Sequence, residues 1–304
     1  MKPELPAPVV ARPPAGWRVW WNAARPRTLS ISLSPVVVGN AVAWARNGAI
    51  SWLVLLATLV AAIAIQIGTN LHNDAADYQR GNDLADRVGP LRVTAAGWAS
   101  AAAVRRAALL AFGVALLAGI YLVTVGGWPI LVVGLASLAA GAAYSGGPRP
   151  ISYTPFGEFF VWIFFGVAAV GGSYWLQAGA PGVSALLAGA AVGGPAAAVL
   201  MVNNIRDRSA DLRVGRRTLA GRISPLAALR IYALLMLLPY AVLSILAWNG
   251  HGGVLTALLM LPVSLVQIRR LAVTPVGPAL NPLLVSTAQC GLGFSLLLAL
   301  GFLL

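Results

Sequence analysis

Charge is scarce in this chain, and acid scarcest of all. Of 304 residues only 8 are Asp or Glu, against 21 Lys and Arg, and charged residues are 10% of the total. With 59% hydrophobic residues and a mean hydropathy of +0.81, this excludes an ordinary soluble domain, in which about a quarter of residues are charged. The single cysteine, Cys290, lies in an apolar run. It excludes an internal disulfide or a thiolate metal site and reads as a small packed hydrophobe. Two histidines, His72 and His251, are too few for an imidazole cluster. The opening stretch MKPELPAPVVARPPAG lacks the basic, apolar and cleavage-site succession of a secretory signal, and its proline content predicts a tail without regular structure.

Long apolar runs are what the chain has instead. Nine segments meet the roughly 20-residue requirement of a membrane-spanning helix: 28–45, 50–71, 107–126, 129–145, 157–176, 183–202, 226–247, 252–268 and 280–303. Gly and Pro inside several of them are tolerated, because neighbouring helices satisfy the freed backbone groups. The expected fold is all-α: a polytopic membrane protein with nine transmembrane helices around a central cavity, lipid on every side, and loops capping the cytoplasmic mouth. Residues 1–27 form the expected tail and 28–304 the membrane domain. Within the tail, WRVWWNAARPRT (17–28) interleaves Trp with Arg, as either an interfacial helix or a tryptophan belt before the first span does.

A formal charge of +13 suits nucleic acid in principle, but its distribution points to topology. All but one of the Lys and Arg residues fall in, or at the edge of, the N-terminal tail and alternate connections; the exception is Arg46. The positive-inside rule then places the N-terminus and the two long connections, about 72–106 and 203–225, in the cytoplasm and the C-terminus outside. No nucleic-acid partner is expected.

The few acids are concentrated. GTNLHNDAADYQRGNDLADRVGPLRVT (68–94) holds Asp74, Asp77, Asp83 and Asp86, and VNNIRDRSADLRVGRRTLAGR (202–222) holds Asp207 and Asp211. Asn203, Asp207 and Asp211 are four apart, one stripe of a helix. Asn73 and Asp77 share that spacing, but position 81 is Gly and the next acid is Asp83, off the ladder. DRVGPLRVTAAG and LRVGRRTLAGR also echo each other, so the two regions read as a weak internal repeat with facing half-sites. Bunched carboxylates repel one another and call for a cation. Hard oxygen donors without His or Cys suit Mg²⁺, which binds through one or two carboxylates plus substrate phosphates. Arg80, Arg87, Arg92, Arg206, Arg208, Arg213, Arg216 and Arg217 would face the remaining phosphate oxygens. The bland alternative, solvated loop charges pairing among themselves, accounts poorly for two matched clusters on one face holding six of the eight acids. A diphosphate with a tail too apolar to leave the membrane is the ligand this arrangement suits.

With RPRTLSISLSPVVVGNA (25–41), YSGGPRPISYTPFGEFFVWIFFG (144–166) and LNPLL (280–284), these stretches resemble the UbiA superfamily of intramembrane prenyltransferases from residue 25 onward. RVGPLRVT, YSGGPRP and NNIRD point within it to the branch that prenylates 1,4-dihydroxy-2-naphthoate in menaquinone biosynthesis. The resemblance implies Mg²⁺ and a polyprenyl diphosphate as cofactor and donor, 1,4-dihydroxy-2-naphthoate as acceptor, and transfer with loss of CO₂. It also implies that Asn73, Asp74 and Asp77 form the first motif and Asn203, Asp207 and Asp211 the second. Asp83 departs from the superfamily's ladder, which weakens its case as a metal ligand. Arg149 in GGPRP reads as a diphosphate or aromatic-acid contact, or as a positive-inside anchor.

Other candidates stay open. His72 reads as a packed neighbour of Asn73 or a base, and Tyr144, Tyr153 and Tyr174 as ring-pocket or interfacial tyrosines. Glu158 is an intramembrane acid or a partner of Arg149. Prenylation of 4-hydroxybenzoate or a tetrapyrrole is the rival within the family. A cation transporter is the rival outside it, although its acids belong near the membrane midplane. The D-x-x-D-G-x-x-A-R motif of a CDP-alcohol phosphotransferase is missing.

Overall fold

The computed structural model describes residues 14–83 and 88–304, and the described residues contain helices and no strands. Asp86, Arg87 and most of the Pro-rich tail lie outside them. In chain order the helices are α1 (Gly16–Ala24), α2 (Ser30–Asn47), α3 (Trp52–Gln79), α4 (Ala101–Gly126), α5 (Trp128–Ser145), α6 (Gly157–Ala178), α7 (Val183–Arg206), α8 (Arg208–Arg213), α9 (Leu219–Arg222), α10 (Pro225–Trp248), α11 (Gly252–Val273) and α12 (Pro278–Leu303). Eight of these are long and apolar enough to cross a membrane, and a ninth span arises if α1 and α2, bent by 53° at their junction, are taken together. The chain is a multi-pass membrane protein.

Local chemistry sets the boundaries. Ser51, Ser100 and Ser224 accept backbone N–H groups at the starts of α3, α4 and α10, which satisfies donors that a helix N-terminus leaves free. Gly127, at φ 68°, breaks the chain between α4 and α5 in a conformation that side-chain-bearing residues resist.

Helix α7 is the axis of the bundle: 78% of its apolar window is buried, against 44% for α12. Small residues allow that enclosure. A Cβ on Gly166 of α6 would stand 2.5 Å from the Gly189 carbonyl oxygen of α7, and one on Gly193 only 2.6 Å from the Trp162 carbonyl oxygen. In a membrane such close backbone packing, rather than hydrophobic exclusion, drives association. Buried hydroxyl contacts tie α10, α11 and α12 together: Tyr232 to Thr287 at 2.9 Å and Tyr240 to Ser264 at 2.8 Å. Cys290 is buried beside Ser264.

A π-helical turn, Ile163–Ala168, interrupts α6. Phe160, Phe164, Ala168 and Gly172, four residues apart, lie along one wall of a cavity, and the wider winding of the π-turn offsets the drift that this spacing accumulates over three α-helical turns. The Phe160 and Phe164 rings stack at 6.1 Å.

Candidate active site

The two acid-bearing connections fold over the same end of the bundle, where their charges alternate. Asp77, on the last turns of α3, is fully buried, with Arg92 Nη1 2.5 Å from its Oδ2. Its Oδ1 accepts from Arg216 Nη2 and, at 3.0 Å, from Asn82 Nδ2. Arg92 also lies 3.3 Å from Asp83, and Arg216 lies 3.6 Å from Asp211. The sequence Asp83, Arg92, Asp77, Arg216, Asp211 is therefore one continuous ladder of opposite charges linking both motifs. The echoed segments supply one arginine each, and both reach Asp77. Gly81, at φ 72°, turns the chain just past α3, which explains why Asp83 is off the helical spacing yet still reaches Arg92.

The remaining acids differ. Asp74 accepts from the backbone N–H groups of Val93 and Thr94 at 3.0 and 3.2 Å and from the Thr94 hydroxyl. It pins the first connection down. Asp207 caps α7 and is forked by Arg206, Nε to Oδ1 at 2.7 Å and Nη2 to Oδ2 at 2.6 Å. Arg206 also donates to Asn203 and Asn281 at 2.8 and 2.9 Å. Burial, with Asp207 nearby, pushes the Asp211 carboxyl up to about 6 against the pull of Arg216. The Asp77 and Asp211 carboxylates hold Arg216 firmly protonated despite its burial.

These groups surround a polar chamber of about 60 Å³ to which Arg92, Asp207, Asp211 and Arg216 contribute. Beside it a cavity of about 1220 Å³ runs among the spans, walled mainly by apolar residues of α2 to α7 and α12. Four residues line both spaces: Arg25, Asn73, Tyr144 and Asn203. They form a throat between a charged compartment and an oily one. Asn73 Oδ1 is buried there without a hydrogen-bond partner.

Several expected residues stand elsewhere. Arg80 donates to the Ser145 and Gly147 carbonyls and lies over the Tyr153 ring, so it secures the end of α5. Arg208 donates to the Ile223 carbonyl. Arg149 and Arg217 are exposed and line neither space. Glu158 accepts from Asn204 at 2.9 Å instead of pairing with Arg149. Tyr174 is at the opposite end, bonded to Arg46, and Tyr153 packs between Arg80 and Arg216 with its hydroxyl on Asn82. His72 lines neither space, and His251 contacts Ser184 and Phe302. Sequence reasoning did not single out Asn82, Asn281 or Arg25. The signal for Arg25 was its place in RPRT, directly after the tryptophan-rich stretch.

Among the described residues no three Asp, Glu, His or Cys side chains converge as a closed metal cage. The donors at the chamber are all oxygens and the set is incomplete, with Asn73 Oδ1 unsatisfied. This fits a hard cation that shares its coordination with a substrate's oxygens, as Mg²⁺ does with phosphates.

Residues 32–278 match the UbiA prenyltransferase family, and the chain belongs to it. It is 36% identical to the 1,4-dihydroxy-2-naphthoate octaprenyltransferase of Mycobacterium tuberculosis, over 81% of this chain and 80% of that protein. With the Escherichia coli enzyme of the same name it shares 34% identity, over 94% and 96%. Its fold resembles that of a UbiA homolog from Archaeoglobus fulgidus solved bound to GPP and Mg²⁺, with a TM-score of 0.66 at 15% identity, covering 92% of this chain and 99% of that one.

Proposed function

We propose that this protein transfers a polyprenyl group from polyprenyl diphosphate to 1,4-dihydroxy-2-naphthoate, with release of diphosphate and loss of the ring carboxyl as CO₂, to give the quinol form of a demethylmenaquinone-type product. The observation that carries the reading is the throat. A substrate with its charged head in the polar chamber and its apolar tail in the 1220 Å³ cavity has its allylic carbon between Asn73, Tyr144, Asn203 and Arg25. Bond cleavage therefore occurs where charge can be stabilised on one side and water excluded on the other.

Asp207 and Asp211, which line the chamber with Asn73 beside them, would hold Mg²⁺ against the diphosphate; Asp77 would join them only where a diphosphate takes up Arg92 and Arg216, while Asp83 stands at the edge and Asp74 fixes the loop behind. Bound there it supplies Lewis acidity to the departing oxygen. The chain's own cations do the rest of the electrostatic work. Arg92, Arg206 and Arg216 already neutralise the carboxylates, and a diphosphate in the chamber gives their planar forks phosphate oxygens to bind. Fixed charges aimed at the leaving group stabilise it without reorganisation as the bond breaks. Arg80, Arg149 and Arg217, around the rim, add a positive field that draws the anionic head toward the chamber. The acid-motif end is cytoplasmic in this reading, as the one-sided basic residues favour. A reporter after Leu304 should register outside and one near Arg213 inside.

Mass spectrometry of the product formed from 1,4-dihydroxy-2-naphthoate and a series of prenyl diphosphates tests the assignment. The expected product has lost the mass of CO₂ and carries the prenyl group in place of one hydrogen. Turnover only with 4-hydroxybenzoate or a tetrapyrrole would move the protein to another branch, and Mg²⁺ flux in liposomes without diphosphate release would replace catalysis with transport.

A further inference from the structure

Arg25 is the one residue other than glycine with positive φ among the described residues, at φ 57° and ψ 59°. It caps α1 at the bend into α2, a left-handed position where glycine costs least and a Cβ is crowded. Such strain persists where the surroundings hold it in place, and here they do. Asn70 of α3 donates to the Ala24 carbonyl at 3.0 Å, the Arg25 N–H donates to Asn22, and Thr28 returns both its N–H and its hydroxyl to the Arg25 carbonyl.

Arg25, so positioned, lines both the chamber and the cavity. Its situation differs from that of the other arginines of the site. Arg92, Arg206 and Arg216 are each engaged with a carboxylate, whereas no hydrogen bond or ion pair with a described residue engages the Arg25 side chain. A permanent cation held at the edge of an apolar cavity needs an anion. Asp74 and Asp77 attract this cation through space, but their oxygens are taken up by the 93–94 amides and by Arg92, Arg216 and Asn82, so a direct partner for the guanidinium comes with a ligand.

We infer that Arg25 binds the carboxylate of the aromatic acceptor and so sets the ring at the throat, facing the allylic carbon. The inference rests on the functional reading above, because it takes the acceptor to be an aromatic acid. The second possible source of the anion, the diphosphate, is distinguished by measurement.

Arg25→Gly is the informative variant, because it removes the cation and relaxes the backbone together. Thermal stability in detergent should be equal to or above wild type, which a merely structural arginine would not allow. The KM for 1,4-dihydroxy-2-naphthoate, at saturating prenyl diphosphate, should rise about ten- to hundredfold, the value of a charge-assisted hydrogen bond. The KM for prenyl diphosphate, at saturating acceptor, should stay within about twofold of wild type. Inhibition by 1,4-dihydroxynaphthalene, which lacks the carboxylate, should be unchanged by the substitution. Arg25→Asn, which tolerates the left-handed conformation, should behave alike, and it carries the test if the glycine variant does not fold. An unchanged acceptor KM, or a rise confined to prenyl diphosphate, overturns the assignment of Arg25 while leaving the functional reading intact. A wild-type protein that prenylates no aromatic acid overturns both.

Discussion

The two acid motifs look alike in sequence and do different things in the fold. Asp74 and Asp77 lie within a continuous helix, and neither lines a cavity: one is closed off by the amides of residues 93 and 94, the other by Arg92, Arg216 and Asn82. Asp207 and Asp211 straddle the break between α7 and α8, and both line the polar chamber. The first motif thus gathers the connections, and the second presents its oxygens to a ligand. The sign and spacing of charges are repeated, but a helix that runs on and a helix that stops offer them different neighbours.

The largest effect should come from the first motif. Asp77→Ala leaves Arg92 and Arg216 with a buried, partly uncompensated charge, which costs about 3–5 kcal/mol. Turnover and the thermal transition in detergent should both collapse. A variant as stable as wild type would show that Asp77 does not organise the loops, and the contrast between the motifs would fall. Asp207→Asn should separate those two effects. Arg206 keeps Asn203, Asn281 and one acceptor oxygen at position 207 but loses its carboxylate partner, so the transition should fall by about 1.5–3 kcal/mol, less than for Asp77→Ala, while kcat falls about a hundredfold or more through loss of charge at the leaving group. Comparable losses of stability in both variants would erase the distinction.

A smaller change is expected at Asp74. Asp74→Asn retains one acceptor oxygen for the 93–94 amides and loses the charge on those bonds, a cost of about 1–2 kcal/mol. Activity should be reduced and recoverable by cooling, in contrast to Asp207→Asn. Temperature-independent inactivation would mean that Asp74 meets the ligand directly.

Hydropathy alone placed eight of the nine apolar segments on spanning helices, and the first, 28–45, on α2, which reaches spanning length only together with α1; a chain in lipid must satisfy its backbone internally, and the helix is the open route. The alternation of basic segments put both motifs at one end, and the ladder through Arg216 joins them there. What spacing could not convey was which groups would face which. Tyr174 and Tyr144 read equally well as candidates for the ring, yet one meets Arg46 at the far end and the other stands in the throat. Glu158 and Arg149 seemed natural partners by charge, but the turn before α6 leaves Arg149 exposed and α7 brings Asn204 to Glu158. Arg25 was the least legible, since its distinction lies in a backbone angle and in a guanidinium that bonds directly to no described residue, neither of which a residue type announces.

The smallest predicted effect sharpens the comparison through pH. Asp211, with a single arginine at 3.6 Å, has a carboxyl raised from 3.8 to about 6 by burial. A carboxyl whose folded value lies above its unfolded one holds its proton more tightly in the native protein. Its contribution to stability is therefore complete below about 3.8 and is lost as pH rises through about 6. Relative to Asp211→Asn, which cannot titrate, the wild-type thermal midpoint should decline between about pH 4 and 6 and run parallel above that range. The charged form is the one that a cation and diphosphate require, so Mg²⁺ with pyrophosphate should release the proton and shift the decline to lower pH. Binding of that pair should weaken as pH falls below about 6, and the weakening should be absent in Asp211→Asn, whose affinity is low throughout. Identical pH profiles for the two proteins would assign the titration to another group. They would also leave the second motif as closed to its surroundings as the first.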